Sequence, residues 1–384
     1  KESPYQIGTA DGLKWFRDKV NAAKKIKDTN ICAVLTKDIV LDATENWEPI
    51  GKDLSAGVGT YPYTGTFDGN GHTISGLNVT DNDTYAGLFG YVCGGTIKNL
   101  TVAGNVSTTS SGAGGIAGGA DGGTFENCAN LCDVKGGITG GIIGFVNNIN
   151  YKLIVRDCYN AGKITSTTGN SVGGIIGSCP GTAPSTISNC YNVGEVTKEV
   201  GGVGRAGAIV GSNYATVNNC YYLDVAGLNA FGNNYGTLTD VKDKSAKEFA
   251  DGTVLALLKA GERGSNADPW ADACQYVTAA GKTLPVFKGQ GDAHSHVWGA
   301  WTSNGDGTHT RACACGVTET GKCSGGTATR TARAVCQFCG QPYGQLASGG
   351  IRRQPTGGSG AANTSDTTKT VKSGNTGDMG GMLY

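Results

Sequence analysis

The chain has 384 residues, with 31 basic and 31 acidic side chains that cancel and no long run of either sign. That balance leaves no electrostatic footprint for nucleic acid or an anionic membrane, and no apolar stretch approaches the ~18 residues of a transmembrane helix. Glycine stands out at 65 residues, which disfavours long helices and suits a chain of tight corners.

Residues 1–50 read as an N-terminal cap. Thr9 is a suitable N-cap for a helix running to about Ala23, with Leu13, Phe16 and Val20 on one face. Ile31 to Leu41 reads as strands. Such a helix would cover the open end of a β-structure, which otherwise invites pairing with another chain. His72 follows in a Gly-Asn-Gly-His-Thr stretch and is the only histidine before residue 294. No acidic motif stands in register with it, so the sequence does not support a catalytic role for it.

Residues 51–225 carry imperfect copies of one unit. Each opens on a glycine-framed apolar pair: Gly87-Leu-Phe-Gly90, Gly115-Ile-Ala-Gly118, Gly141-Ile-Ile-Gly144, Gly174-Ile-Ile-Gly177 and Ala208-Ile-Val-Gly211. A second signature follows: Lys98-Asn-Leu100, Glu126-Asn-Cys128, Arg156-Asp-Cys158, Ser188-Asn-Cys190 and Asn218-Asn-Cys220. A period near ~30 residues means a solenoid, since one unit cannot bury its apolar face alone. The apolar runs are short, β-branched and bounded by glycine, so the unit is a coil of a single-stranded parallel β-helix, with a right-handed wind expected. Stacking turns sequence columns into ladders. Leu100, Cys128, Cys158, Cys190 and Cys220 should point inward as small hydrophobes. Free buried thiols are favoured there, although a disulfide between neighbours could be spanned. Asn99, Asn127, Asp157, Asn189 and Asn219 should form a corner ladder in the left-handed conformation.

The repeats, with Phe67-Asp-Gly-Asn-Gly-His-Thr-Ile-Ser-Gly-Leu77 as a first-coil phrase, resemble the GLUG-motif family of bacterial surface proteins over about residues 5–225. The resemblance implies a secreted, envelope-attached β-helix, often in adhesins, and no shared reaction. Loops between coils are the expected binding surface. Tyr151, Tyr191, Tyr214 and Tyr221 are candidates to stack on sugars, or else they cap the sheet faces. Glu126 and Asp157 fall in neighbouring columns and should point to opposite sides, which leaves paired-carboxylate glycoside hydrolysis unsupported.

Residues 226–290 read as a C-terminal cap. Ser245-Ala-Lys-Glu248 is a capping box before a helix carrying Phe249, Val254, Leu257 and Leu258, and Trp270 and Phe287 should seal the last coil.

Residues 294–344 hold three of the four histidines and five of the 14 cysteines. Close pairs of thiols such as Cys336-Gln-Phe-Cys339 let a short chain wrap a tetrahedral zinc ion, and a disulfide staple is the alternative. The stretches from His296 to Trp301, Thr308 to Arg311 and Gly325 to Gly340 resemble small modules at the C-terminal ends of Firmicutes surface proteins. That resemblance implies two ligand sets. One is His296, His309, Cys313 and Cys315; the other is Cys323, Cys336 and Cys339, with Arg330 where such modules carry a further cysteine. A module with so few apolar residues would need the metal to fold, so the zinc would be structural.

Residues 345–384 have almost no large apolar side chain and read as a disordered stalk. Ser373-Gly-Asn-Thr-Gly-Asp378 is similar to a degenerate cell-wall sorting signal. The expectation is therefore an all-β repeat protein with helical caps, a Cys/His module and a disordered tail. It would be a monomeric ectodomain held to the cell wall at its C-terminal end. It would bind glycans or a host or neighbouring-cell surface, with a polysaccharide-active enzyme and a structural spacer as alternatives.

Overall fold

The computed structural model describes residues 3–53, 61–80, 85–109, 112–147, 151–181, 184–199, 205–290, 300–312 and 318–347. The chain divides into two compact units, residues 1–299 with 312–317, and residues 300–311 with 318–384.

The first unit is the parallel β-helix that the repeats imply. Its main column of strands runs Tyr5–Ile7, Ala33–Leu35, Thr66–Asp68, Thr96–Ser107, Gly123–Asn130, Leu153–Arg156, Ser185–Ser188, Thr216–Leu223 and Leu238–Lys244, each parallel to the next. A six-stranded and a five-stranded parallel sheet form the other walls. Register places Phe67, Ile97, Phe125, Val155, Ile187 and Val217 in one interior column, all fully buried. Burying each such side chain contributes roughly 1.5–3 kcal/mol. The Leu100–Cys128–Cys158–Cys190–Cys220 column is likewise buried and its thiols are unbridged. Each Sγ donates to the carbonyl two residues before it, for example Cys158 to Arg156 O at 3.2 Å, so the thiols are satisfied without a disulfide.

The solenoid is longer than the repeats suggest. Tyr5–Ile7 already pairs with Ala33–Leu35, so the segment expected to be a separate cap supplies the first rungs. Helix α1 (Ala10–Asn21) is inserted between those two strands. Thr9 Oγ1 accepts from Gly12 N at its start, and Leu13, Phe16 and Val20 are buried as the spacing requires. Phe16 packs on Tyr63 and Phe67, plugging the interior of the first coils. At the other end Phe231–Asn234 and Leu238–Lys244 add a further coil beyond residue 225.

Two side-chain ladders hold the coils in register. Asn99, Asn127, Asp157, Asn189 and Asn219 have φ of 53, 53, 50, 54 and 50°, the left-handed corner that asparagine and aspartate tolerate. Their amides bond up the stack, Asn127 Nδ2 to Asn99 Oδ1 at 2.8 Å and Asn219 Nδ2 to Asn189 Oδ1 at 2.8 Å. The second ladder comes from the Tyr-Asn-x-Gly phrase. Asn130, Asn160 and Asn192 are buried; Asn130 donates to Asn160 and Asn160 to Asn192, both at 2.7 Å, and all three donate to the backbone carbonyl two residues on. The glycine that opens each apolar pair makes room for them. A Cβ on Gly141 would stand 2.6 Å from Asn160 Cγ, and one on Gly174 would stand 2.3 Å from Asn192 Cγ. The two signatures recur together because one packs into the other.

The C-terminal cap does not seal the last coil. It runs back along the flank of the solenoid. The capping box of Ser245 and Glu248 starts helix α2 (Ala246–Ala250), and α3 (Thr253–Ala260) follows. Phe249, Val254, Leu258, Trp270 and Phe287 are buried against Tyr159, Tyr191 and Tyr221, in a core separate from the solenoid interior. Tyr159 and Tyr191 stack with ring centroids 4.9 Å apart.

The attachment is centred on Asp157, the acid in the middle of the corner ladder. Asp157 and Arg263 are both almost fully buried, and Arg263 Nε donates to Asp157 Oδ1 at 2.9 Å. Trp270 Nε1 donates to the same oxygen at 3.2 Å. The guanidinium also bonds the carbonyls of Leu258, Lys259 and Gly261, satisfying the C-terminus of α3. Burial lifts the Asp157 carboxyl to about 6, despite the opposing pull of Arg263.

Two outcomes follow from these contacts. Asn160→Ala removes ladder bonds on both sides and leaves buried amides and the Gly162 carbonyl short of partners. Urea unfolding should show a loss of about 2–3 kcal/mol. Because the folded-state value of Asp157 is raised, its contribution is fully present below about pH 4 and is lost as pH climbs through about 6. The full change is up to about 3 kcal/mol. Denaturant midpoints of the wild type should carry this fall between pH 4 and 7, and Asp157→Asn should lack it.

Candidate metal centre

The second unit is built from two small β-elements with little apolar core. Thr302–Ser303, Thr308–Ala312 and Thr318–Lys322 form a three-stranded sheet in that order, the first pair antiparallel with Ser303 opposite His309. Asp306 closes the intervening turn by accepting from Thr308 N at 2.9 Å. Ala334–Val335 pairs with Pro342–Tyr343 across the Cys336-Gln-Phe-Cys339-Gly turn, where Gly340 takes a φ of 69° and its N–H donates to Cys336 O at 2.9 Å. His309 and Cys336 are the buried polar residues between these elements, whereas Val335, Phe338 and Leu346 are each 48% exposed.

His309, Cys323, Cys336 and Cys339 bring four ligand atoms within 4.8 Å of one another. His309 Nδ1 lies 3.3 Å from Cys336 Sγ, and Cys323 Sγ lies 3.9 Å from Cys339 Sγ. A tetrahedral zinc with bonds of about 2.3 Å to sulfur and about 2.0 Å to nitrogen sets edges near ~3.8 Å and ~3.5 Å. One imidazole and three thiols at these separations fit a tetrahedral thiophilic cation. The imidazole is fixed by Trp301, edge-on with centroids 4.3 Å apart, and by Phe338 at 5.2 Å. Gly321 is the close neighbour of its other nitrogen, since a Cβ there would meet Nε2 at 2.9 Å.

The thiols are electrostatically uneven. Burial acts against a charged Cys336, but backbone N–H groups of Cys339, Phe338 and Ser324 outweigh it and bring the thiol down to about 6. Burial, then the neighbouring Cys336 and Cys339, push Cys323 up to about 12. Three thiolates cannot crowd together unaided. A divalent cation held by this cluster would supply the missing charge.

Among the described residues His309 stands with Cys323, Cys336 and Cys339, in the place where the resemblance expected a further cysteine. Arg330 is exposed. His296, Cys313 and Cys315 lie outside the described residues, as does the tail from 348 onward. Spacing alone could not find the fourth ligand, because it depends on the hairpin that carries His309 across from the Cys336 turn.

The tyrosines expected as sugar platforms separate into two pairs. Tyr191 and Tyr221 are fully buried beneath the C-terminal cap, the first donating to Pro285 O and the second to Asp240 Oδ2 at 2.6 Å, so neither offers a stacking face. Tyr151 and Tyr214 are 48% and 47% exposed, and Tyr214 stacks on Tyr235 of the next coil with centroids 4.6 Å apart. Glu126 is ion-paired with Arg156 directly across the sheet, while Asp157 is buried with Arg263, so the two acids do not form a pair. His72 does have an acidic partner, contrary to the reading of its sequence. Asp38 Oδ1 lies 3.1 Å from His72 Nδ1 and accepts the Thr73 N–H at 2.9 Å. Ile39 pairs with Ile74, so the coil register sets Asp38 beside Thr73, 35 positions along the chain.

No family model matches the chain. A stretch of 151 residues, 38% of the chain, is 34% identical to Halomucin of Haloquadratum walsbyi. The chain spans only about 2% of that relative's length. Among solved structures it is similar to a candidate immunoglobulin A1 protease from Bacteroides ovatus, with a TM-score of 0.54 and 20% identity over 74% of this chain and 92% of that one. At that identity the likeness establishes the shared solenoid fold and nothing of its chemistry.

The geometry predicts one tightly held thiophilic metal ion per chain, read by elemental analysis of protein purified without chelator. Cys336→Ser or His309→Ala should remove it. Two ions per chain would instead require a second centre built on residues outside the described set.

Proposed function

We propose that this chain belongs to an extracellular, cell-surface β-helix protein that binds glycans, in the manner of an adhesin, and is held to the cell wall through its C-terminal end. The observation that carries this reading is the exposed tyrosine pair on the solenoid. Asn213 and Asn234 pair across adjacent coils, so the following residues, Tyr214 and Tyr235, are set one coil apart, and their rings stack at 4.6 Å with 47% and 58% exposed. The coil spacing of about 4.8 Å is itself an aromatic stacking distance. Stacked exposed rings make a flat apolar shelf with hydroxyls at its rim, suited to the C–H face of a sugar. The rigid ladder beneath keeps the shelf preorganised, which lowers the entropy cost of binding.

In the second unit the metal is zinc and its role is structural. Four protein ligands fill a tetrahedron and leave no position for a substrate. The unit has too few buried apolar side chains to fold unaided, so metal binding is coupled to folding.

The test is retention on an immobilised glycan panel, with released sugar measured in parallel. Retention without release is expected, and Tyr214→Ala or Tyr235→Ala should weaken it by roughly tenfold, the size of one aromatic contact. Release of sugar would overturn the binding reading in favour of an enzyme. Neither signal would overturn glycan recognition. Elemental analysis showing a metal other than zinc would overturn the zinc assignment.

A further inference from the structure

The C-terminal cap leaves a cleft where it passes the first coils. The space is about 400 Å³ and is walled by Asp38, His72 and Thr101 from the solenoid and by Tyr276, Lys288 and Gln290 from the cap. That volume is within the ~300–1,000 Å³ usual for small-ligand sites. Its walls are held from both sides. Gln290 Nε2 donates to Thr101 Oγ1, Tyr159 Oη donates to Gln290 Oε1 at 3.3 Å, and Lys288 Nζ donates to Asp268 O at 2.8 Å. Tyr276 is carried on the antiparallel hairpin of Gln275–Val277 and Lys282–Leu284.

The dyad in this cleft is oriented rather than incidental. The Thr73 N–H fixes the Asp38 carboxylate, and Asp38 in turn receives His72 Nδ1. A neutral imidazole that donates from Nδ1 carries an acceptor lone pair on Nε2. Carboxylate, imidazole, amide, hydroxyl and ammonium groups thus line the cleft together with the partly exposed apolar side chain of Leu131. Asp38 and Lys288 carry opposite single charges, so the lining has no excess of one sign to attract a polyanion.

We infer that this cleft is a second saccharide site, taking a neutral, hydroxyl-rich sugar whose hydroxyl donates to His72 Nε2 and whose ring lies against Leu131. The inference rests on the glycan-binding reading above but uses a different face of the protein. Asp38 is a positioning residue, acting through the imidazole. Two sites on one rigid body would engage a long glycan together and raise avidity without a new contact at either.

The chain has four histidines, which makes the test direct. The whole 384-residue chain with ¹³C-labelled histidine is titrated with neutral oligosaccharides, and with an oligogalacturonate as the charged comparison. The His72 signal, assigned with His72→Gln, should move saturably with a neutral sugar and not with the charged one. Both His72→Gln and Asp38→Asn should weaken that binding at least tenfold, while Tyr214→Ala leaves the His72 shift intact. A panel sugar that binds without moving the His72 signal, and binds His72→Gln as well as the wild type, would overturn the cleft and leave the tyrosine shelf standing. Binding of no sugar would overturn both. A shift by oligogalacturonate alone would overturn the neutral-ligand assignment.

Discussion

Every coil must set its polar corners under those of the next, and the rest of the solenoid depends on that alignment. A parallel β-helix buries backbone turns that water cannot reach, and each turn leaves amide groups to be satisfied. Asn130, Asn160 and Asn192 meet that demand twice over. Each bonds its own turn two residues on, and Asn130 and Asn160 also hand their amides to the next asparagine. A slip of one residue would break the chain of amides and turn the Phe67-to-Val217 column outward. The hydrophobic column supplies the driving force, while the amides fix which alignment wins. That division explains why the glycines are spaced as they are: Gly141 and Gly174 are small because an asparagine fills the volume beside them.

The same ladder also decides where the C-terminal segment goes. Asparagine corners offer neutral amides, and two of them use the surplus on α3 and the segment just after it: Asn219 Nδ2 bonds Leu257 O at 3.2 Å and Asn189 Nδ2 bonds Glu262 O at 3.3 Å. Asp157 cannot continue an amide ladder by donating. It accepts instead, from Arg263 and Trp270. One change from amide to carboxylate therefore converts an internal tie into an anchorage for another segment. Desolvation makes a buried ion pair of little net worth, so its value here is in specifying one position of the cap along the flank. The aromatic core of Tyr159, Tyr191 and Trp270 supplies the bulk of the attraction.

How much of this was legible in the sequence follows from the same physics. The solenoid, the inward cysteines, the left-handed Asn99-to-Asn219 corner, the Thr9 cap and the Ser245 capping box are all local or periodic, and a repeat turns local patterns into neighbours. Features that depend on what packs against the repeat were not legible. Tyr191 and Tyr221 carry the same side chain as Tyr214, and only the course of residues 246–290 decides that two are core and one is surface. Asp38 escaped notice because its partner lies a coil away, although the pairing of Ile39 with Ile74 makes them neighbours. The ends of the solenoid were missed because Tyr5–Ile7 and Leu238–Lys244 lack the glycine-framed signature yet keep its register.

The small unit inverts the logic of the large one. In the solenoid, apolar columns provide the energy and polar ladders the alignment, so cysteine can serve as a mere hydrophobe. There burial pushes the Cys158 and Cys220 thiols well up, and they stay protonated and inert. In the small unit apolar surface is scarce, and the same residue type is held where backbone N–H groups bring Cys336 down to about 6. The contrast comes from what the chain presents to sulfur: carbonyl acceptors within an apolar interior in one case, a tight turn of N–H donors in the other. Cysteine count alone does not distinguish the two uses, but turn chemistry does. The Cys336-Gln-Phe-Cys339-Gly phrase prescribes a turn that gathers donors around a sulfur, and His309 needs only to arrive on a hairpin to complete four ligands. A metal held there would stand in for the hydrophobic core that the unit lacks.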